Sequence, residues 1–181
     1  GISSKAAGVA VGQWEPHDLV LAAARDHAWW EFPVRAEFTR DGGGSPPLTV
    51  EAFWDGERKW IVRTALPQAG RWSWRTQSDD PGLNNRRGTI DVAAASAEQL
   101  AANPNRRGQL RLAANGRFFE HADGTPFLLL ASTLWAANTA RCGLGANQDG
   151  PFFQHLADRQ AKGFTAILMQ YFHGYGDYPD S

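Results

Sequence analysis

The chain has 181 residues, of which 43% are apolar and 20% are charged, so it can bury a core and form one domain or two small ones. Its 18 basic and 19 acidic residues give a net charge of −1, which argues against nucleic acid as the main partner. No apolar run approaches the about 20 residues that cross a bilayer, so we expect no membrane partner. One cysteine permits neither an internal disulfide nor a cysteine-based zinc site, and we expect no metal and no cofactor.

The first half of the sequence alternates short strand-like segments with turns. Eight tryptophans, 19 glycines and 10 prolines are typical of aromatic-rich strands joined by frequent turns. Period-two alternation predicts strands at 34–39, 48–54, 60–66, 71–76 and 89–92, and turns at 41–47, 55–56, 67–70 and 79–82. Strands this short, with turns every ~8–12 residues, predict an immunoglobulin-like antiparallel β-sandwich over residues 8–93.

Four tryptophans stand on the predicted strands or beside their turns, namely Trp54, Trp60, Trp72 and Trp74. Two interpretations are open for this set. It could form a platform for carbohydrate, but tryptophans that alternate on one strand face are more typical of a core. The neighbouring Arg63 and Arg71 are interpreted as solvated or bridging charges.

Residues 94–107 are predicted to link two domains. Within them Ser96 and Gln99 have the spacing of a capping box, in which each side chain bonds to the backbone of the other at a helix start. A short helix through residues 100–102 is therefore expected, ended by the sequence Asn103-Pro104-Asn105.

The pattern changes after position 107. A small hairpin is predicted around Asn115-Gly116, and a second turn at Asp123-Gly124. Phe127–Ala131 and Phe164–Tyr171 are continuous apolar segments, which predict strands buried on both faces.

Two helices are predicted between these apolar strands. The first runs from Thr133 towards Cys142, and the second begins with Pro151 at its first position and ends at Gly163. In the second helix, His155 lies in the middle and is expected to be solvated. Strand, helix and strand in this order predict a parallel βαβ unit.

Several stretches of the sequence resemble one family of enzymes. Residues 29–92 resemble the β-sandwich domain that precedes the barrel of apiosidase-like glycoside hydrolases, in the stretches Phe53–Gly56, Trp60–Arg63 and Pro67–Trp74. Residues 104–172 resemble the start of the catalytic barrel of the same enzymes, in the stretches Asn105–Gly108, Phe118–Phe119, Ala122–Phe127, Thr133–Trp135 and Lys162–Thr165.

The resemblance implies a fold and an activity. Residues 108–181 would be the N-terminal portion of a (β/α)₈ TIM barrel, which takes about 250 residues, so the rest of the barrel would come from a missing C-terminal segment or a second chain. The implied protein is a secreted or periplasmic bacterial glycoside hydrolase that acts on a plant or microbial polysaccharide through two carboxylates.

No catalytic residue is assigned within this chain. In the family the carboxylates come from later barrel strands, and no position here matches them. Relatives commonly end the first barrel strand in Gly-Asp-Thr, whereas this sequence has Ala131-Ser132-Thr133, which puts the same sugar specificity in doubt. The 181 residues alone are expected to be inactive.

Substrate-binding residues of a barrel collect at the carboxyl ends of its strands. The predicted substrate-binding residues are Ser132, Trp135, Gln170, Tyr171 and His173. Aromatic rings of this kind can stack on sugar faces, and the polar groups can bond sugar hydroxyls. The alternative for these residues is that Trp135 caps the barrel core and Tyr171 packs under a helix. The alternative function is a non-catalytic carbohydrate-binding module, in which the aromatic-rich sandwich holds polysaccharide, or a structural β-sandwich module.

Overall fold

The computed structural model describes residues 9–27, 32–135, 137, 142–143 and 148–169. The chain divides into two compact units, Gly1–Gln109 and Leu110–Ser181. Within the described ranges, no helix is long and apolar enough to span a membrane.

The first unit consists mainly of two β-sheets. Its strands in chain order are β1 (Val9–Gly12), β2 (His17–Ala22), β3 (Arg35–Arg40), β4 (Leu48–Glu51), β5 (Phe53–Trp54), β6 (Lys59–Thr64), β7 (Gly70–Gln77) and β8 (Arg87–Ala93). One sheet has the order β1-β8-β7-β3-β4, and the other has the order β2-β6-β5. The predicted sandwich is therefore present as two sheets.

One apolar core takes side chains from both sheets. Phe38 and Trp72 come from the five-stranded sheet, Trp60 and Val62 come from the three-stranded sheet, and all four are buried in the same cluster. Each large apolar side chain buried in this way stabilises the fold by about 1.5–3 kcal/mol. The interpretation of Trp60 and Trp72 as core residues is confirmed, whereas Trp54 is exposed and its indole N–H donates to the carbonyl of Glu57.

The prediction of a wholly antiparallel sandwich is wrong, because β1 lies parallel to β8, with Val9 opposite Ile90. The strands β1 and β2 are not among the predicted elements. The segment 48–54, predicted as one strand, forms two strands, β4 and β5, which belong to different sheets. They are separated at Ala52, whose N–H donates to the carbonyl of Val34. Alternation of side chains continues through such a crossing, so the sequence pattern does not reveal it.

The segment after β8 contains the predicted short helix. Helix α1 (Ala97–Ala102) begins with both bonds of a capping box between Ser96 and Gln99, and Asn103 caps its carboxyl end. A 3₁₀ turn follows, and from it the Arg106 guanidinium donates to the carbonyl oxygen of Gln13 at 3.0 Å. This long-range bond ties the segment to the start of the first unit.

The second unit begins with a small antiparallel sheet. Its strands are β9 (Leu110–Leu112), β10 (Phe119–His121) and β11 (Pro126–Phe127), in the order β11-β10-β9. The predicted hairpin and turn are confirmed, because Gly116 N–H donates to the Ala113 carbonyl and Gly124 N–H donates to the His121 carbonyl.

A parallel pair of strands with a helix between them completes the described part of the second unit. Strand β12 (Ala131–Thr133), helix α2 (Pro151–Ala161) and strand β13 (Ala166–Leu168) follow in this order. Ala131 lies opposite Ala166 in parallel register, so the predicted parallel βαβ arrangement is confirmed. The helix starts at Pro151 as predicted, and Gly163 has the expected positive φ of 81°.

Two boundaries in this unit differ from the predictions. The predicted buried strand Phe127–Ala131 is wrong, since Phe127 belongs to β11, Ala131 begins β12, and residues 128–130 are exposed outside any strand. The predicted helix does not start at Thr133, which is the last residue of β12. Most of residues 136–141, where that helix would continue, lie outside the described residues, as do positions 170–171 of the second predicted strand.

Candidate functional site

The carboxyl ends of β12 and β13 form the candidate site. Since the two strands are parallel, Thr133 and Leu168 lie opposite each other at the same edge of the pair. Polar and aromatic residues that leave this edge can reach a common ligand, as they do at the strand ends of α/β folds.

Ser132 lies on β12, one position before this edge, and faces helix α2. Its hydroxyl oxygen is 3.4 Å from Nε2 of His155, and both side chains are half-buried. The expectation that His155 is solvated is therefore wrong, because the helix turns the imidazole towards the strand. A separation of 3.4 Å exceeds that of an ordinary hydrogen bond of a hydroxyl, so the contact orients the two groups only weakly.

Ser132 and His155 do not form a complete catalytic triad of nucleophile, base and orienting acid. Among the described residues, no carboxylate is hydrogen-bonded to His155, whereas nucleophilic catalysis by a hydroxyl needs a base that a third group holds in place. What Ser132 and His155 can do is donate and accept hydrogen bonds at the base of the site.

Trp135 follows β12 by two residues and is 61% exposed. An indole exposed to this extent offers a large apolar face beside polar groups, which suits stacking on the C–H face of a sugar ring. Its contact with a ligand stays a prediction. The predicted residues Gln170, Tyr171 and His173 lie outside the described residues, so the structure places Ser132 and Trp135 at this edge and does not test the other three.

Apolar side chains are exposed around the same strand pair. They are Leu128 (71% exposed), Leu129, Leu130, Leu168 and Met169. The sequence predicts burial here because the run is continuous and apolar. Several large apolar side chains exposed beside one strand pair are typical of a face that packs against further protein.

A buried acidic residue in the first unit is not singled out by the sequence. The carboxylate of Asp80 is fully buried and accepts N–H bonds from Ala24 at 2.8 Å, Gly82 at 2.7 Å and Arg25 at 3.3 Å. Its Oδ2 is also 2.8 Å from Nε2 of His27. Burial on its own raises the pKa of Asp80, but these hydrogen bonds outweigh it and hold the pKa well below the usual range.

This Asp80 cluster is a structural feature and not a catalytic one. The His27 ring stacks on Phe32 with centroids 3.7 Å apart, so the cluster is closed on that side by an aromatic ring. In the sequence, Asp80 only appears as part of the turn Asp79-Asp80-Pro81-Gly82. Its partners Ala24, Arg25 and His27 are more than 50 positions away in the sequence, so no local signal reveals the role of the carboxylate.

The described residues contain no group of three or more His, Cys, Asp and Glu side chains placed to hold a metal ion. The interpretation of Arg63 and Arg71 as bridging charges is confirmed. Arg63 donates two bonds to Asp18, at 2.8 and 2.7 Å, and Arg71 donates two bonds to Asp91, at 2.7 and 3.0 Å.

The fold defines a β-rich protein with more than one domain. Residues 113–179 match the family model of the apiosidase-like catalytic domain. Residues 10–79 match a domain of unknown function, DUF5060. The resemblance to apiosidase-like glycoside hydrolases is thus confirmed, with the catalytic-domain segment following a separate N-terminal domain.

Two solved structures are similar to the chain to different degrees. The crystal structure of a candidate glycoside hydrolase from Bacteroides vulgatus ATCC 8482 matches with a TM-score of 0.65 and 22% identity, over 89% of this chain and 28% of that one. A superoxide reductase (neelaredoxin) from Ignicoccus hospitalis matches with a TM-score of 0.34 and 16% identity, over 48% of this chain and 76% of that one. No curated protein matches the chain. The chain thus spans little more than a quarter of the Bacteroides protein, with which it shares its fold.

Proposed function

We propose that the full-length protein is a glycoside hydrolase that cleaves O-glycosidic bonds in a plant or microbial polysaccharide, and that this chain is its N-terminal part. In this proposal the first unit is an immunoglobulin-like sandwich, and β12, α2 and β13 open a (β/α)₈ barrel. The observation that carries the proposal is the parallel pairing of β12 with β13 inside the segment that matches the apiosidase-like catalytic domain.

The exposed apolar residues support an incomplete barrel. Leu168 on β13 and Leu128 and Leu130 just before β12 are accessible to water, which is unfavourable for leucine side chains by about 25 cal/mol per Å². In a complete barrel, neighbouring strands and the outer helices cover such residues. The remaining strands would come from a C-terminal segment of the same protein or from a second chain.

The proposed substrate site is the carboxyl edge of β12 and β13. Trp135 would stack on a sugar ring, and Ser132, Gln170, Tyr171 and His173 would bond its hydroxyls. Hydrolysis needs one carboxylic acid to protonate the leaving oxygen and one carboxylate to act as base or nucleophile. Both are proposed to lie on later barrel strands, so this chain supplies binding and no proton transfer.

The reaction also implies a location and a partner. Polysaccharides of plants and microbes are outside the cell or in the periplasm, so we propose that the protein is secreted or periplasmic. Its proposed partner is the carbohydrate substrate.

The test is an assay of the protein encoded by the complete reading frame against a panel of polysaccharides. We expect release of reducing sugar from at least one of them. Trp135→Ala should raise KM about tenfold with little change in kcat, because stacking binds the ground state and the transition state alike. Trp54→Ala, which removes an exposed tryptophan of the first unit, is the matched control and should change neither constant.

Other outcomes would overturn the proposal. A protein that retains a polysaccharide without cleaving it would be the non-catalytic binding module. A protein that neither cleaves nor binds any glycan would be a structural module.

A further inference from the structure

An open cavity of about 370 Å³ lies in the first unit, on β3, β7 and β8. Its polar lining consists of Glu37, Thr39, Ser73, Arg75, Arg87 and Thr89. These three strands are neighbours within the five-stranded sheet, so the residues that line the cavity lie side by side across the sheet.

The polar residues of this cavity lie on the sheet face that is turned away from the core. Ala36 and Phe38 of β3 are buried in the core, so Glu37 and Thr39 between and after them point to the opposite face. The same alternation places Ser73 outside, next to the buried Trp72. The polar side of the cavity therefore faces away from the core, whereas Trp74, which also lines it, packs against the core cluster.

The charges in the cavity do not neutralise one another. Arg75 lies directly opposite Arg87 on β8 and directly opposite Glu37 on β3, so two guanidinium groups accompany one carboxylate. Like charges directly opposite each other on one face are destabilising. Among the described residues, none of the ion pairs includes any of these three side chains.

Arg71 is an example of an arginine on this strand face whose charge is paired with a carboxylate. It lies four residues before Arg75, on the same face of β7, and it donates two hydrogen bonds to Asp91, at 2.7 and 3.0 Å. Arg75 has no such carboxylate opposite it on β8, where Arg87 stands instead, and Arg87 donates one bond to the neutral amide oxygen of Asn85. Arg75 and Arg87 thus lie at directly opposite positions without an ion-pair partner in the described part of the chain, and an anion from outside can supply the missing negative charge.

Hydroxyl groups surround the two arginines. The side chains of Thr39 and Thr89 make no hydrogen bond with other described residues, and the Ser73 hydroxyl donates to Asp41 at 2.8 Å and keeps lone pairs for accepting. Glu37 adds an acceptor for hydroxyl donors. A ligand that suits all of these groups carries one carboxylate for the arginines and several hydroxyls for the rest.

We propose that this cavity binds a uronic acid residue of a polysaccharide, with its carboxylate between Arg75 and Arg87. A planar carboxylate matches the forked donors of arginine, whereas Glu37 disfavours the higher charge of a phosphate dianion. A volume of about 370 Å³ is at the small end of ligand pockets, which suits one sugar residue. The site is a binding site on the first unit and does not depend on the hydrolase proposal.

Titration calorimetry of the 181-residue chain tests this site. The two ligands are a galacturonic acid trimer and the neutral galactose trimer with the same linkage. We expect the acidic trimer to bind at least about tenfold more tightly than the neutral one, because hydrogen bonds between arginine and a carboxylate are stronger than those between neutral groups. Arg75→Gln and Arg87→Gln should each weaken binding of the acidic trimer by about tenfold or more, with unchanged circular dichroism.

Arg63→Gln is the control for loss of one positive charge, because Arg63 lies on β6 in the other sheet. It should bind the acidic trimer as the unchanged chain does. Equal binding of the two trimers, equal weakening by Arg63→Gln, or displacement of the acidic trimer by an equal concentration of sulfate would each overturn the proposal. The result is independent of whether the longer protein cleaves any polysaccharide.

Discussion

The carboxylate of Asp80 and the imidazole of His27 are 2.8 Å apart, between Oδ2 and Nε2, although the two residues are 53 positions apart in the chain. The same carboxylate accepts backbone N–H bonds from Ala24, Arg25 and Gly82. One buried side chain therefore fastens the loop after β2 to the loop after β7. Loops joined in this way depend on the charge and the acceptors of a single residue.

Asp80→Asn is expected to destabilise the first unit by about 3 kcal/mol, because the amide has one acceptor oxygen and places an NH₂ group against backbone donors. Denaturant unfolding followed by tryptophan fluorescence measures the effect. Asp79→Asn is the matched control, since Asp79 is the adjacent exposed carboxylate, and it should cost less than about 0.5 kcal/mol. Equal losses for the two variants would show that Asp80 does not organise the loops.

Acid should remove the stabilisation that Asp80 contributes. The pKa of this carboxyl is lowered in the folded state, so its contribution is complete above the ordinary carboxyl pKa of about 4 and is lost as the pH falls below it. The difference in unfolding free energy between the unchanged chain and Asp80→Asn should therefore narrow from about pH 4 downwards. A difference that stays constant between about pH 7 and pH 3 would contradict the lowered pKa.

Gly82→Ala is expected to be more disruptive than a substitution at an ordinary turn glycine. A Cβ atom at position 82 would lie 2.6 Å from both the Ala22 carbonyl oxygen and the Ala24 nitrogen, so backbone has to move. We expect a loss of about 3 kcal/mol in unfolding free energy. Gly116→Ala is the comparison, because its site is open and only its φ of 70° is unfavourable, which costs about 1 kcal/mol.

Thr165→Val tests the link between the segment before β12 and the segment before β13. The Thr165 hydroxyl donates to the Leu128 carbonyl at 2.6 Å and accepts from the Leu130 N–H at 2.9 Å. Without it, the Leu130 amide should exchange its hydrogen about five- to tenfold faster, which corresponds to about 1 kcal/mol. Thr133→Val, on the exposed end of β12, should leave that exchange rate unchanged, and equal acceleration by both variants would contradict the assigned bonds.

Much of the local structure follows from short sequence signals. The capping box at Ser96 and Gln99, the turn at Asn115-Gly116 and the helix start at Pro151 each depend on residues within four positions of one another. The parallel pairing of β12 with β13 is predictable from chain order, because parallel strands need a long crossover connection, usually a helix, and a helix lies between these two strands.

Long-range relationships are not predictable in the same way. The parallel pairing of β1 with β8 places Val9 opposite Ile90, and no turn sequence predicts this pairing. The leucines at 128–130 are exposed, contrary to the prediction of a buried strand. An apolar run indicates that side chains favour burial, but it does not show which part of the protein buries them. In the candidate site, the sequence singles out Ser132 and Trp135, but the contact of Ser132 with His155 depends on how helix α2 packs.

The central claim is that the full-length protein hydrolyses a glycosidic bond. The most direct test is to digest the polysaccharide identified by the panel assay in water enriched in oxygen-18. The expected result is that each newly formed reducing end carries one heavy oxygen atom, because hydrolysis adds water across the bond. Products that are unlabelled and carry a new carbon–carbon double bond would indicate elimination instead, and an intact polysaccharide would indicate no cleavage. Either of these results would contradict the claim.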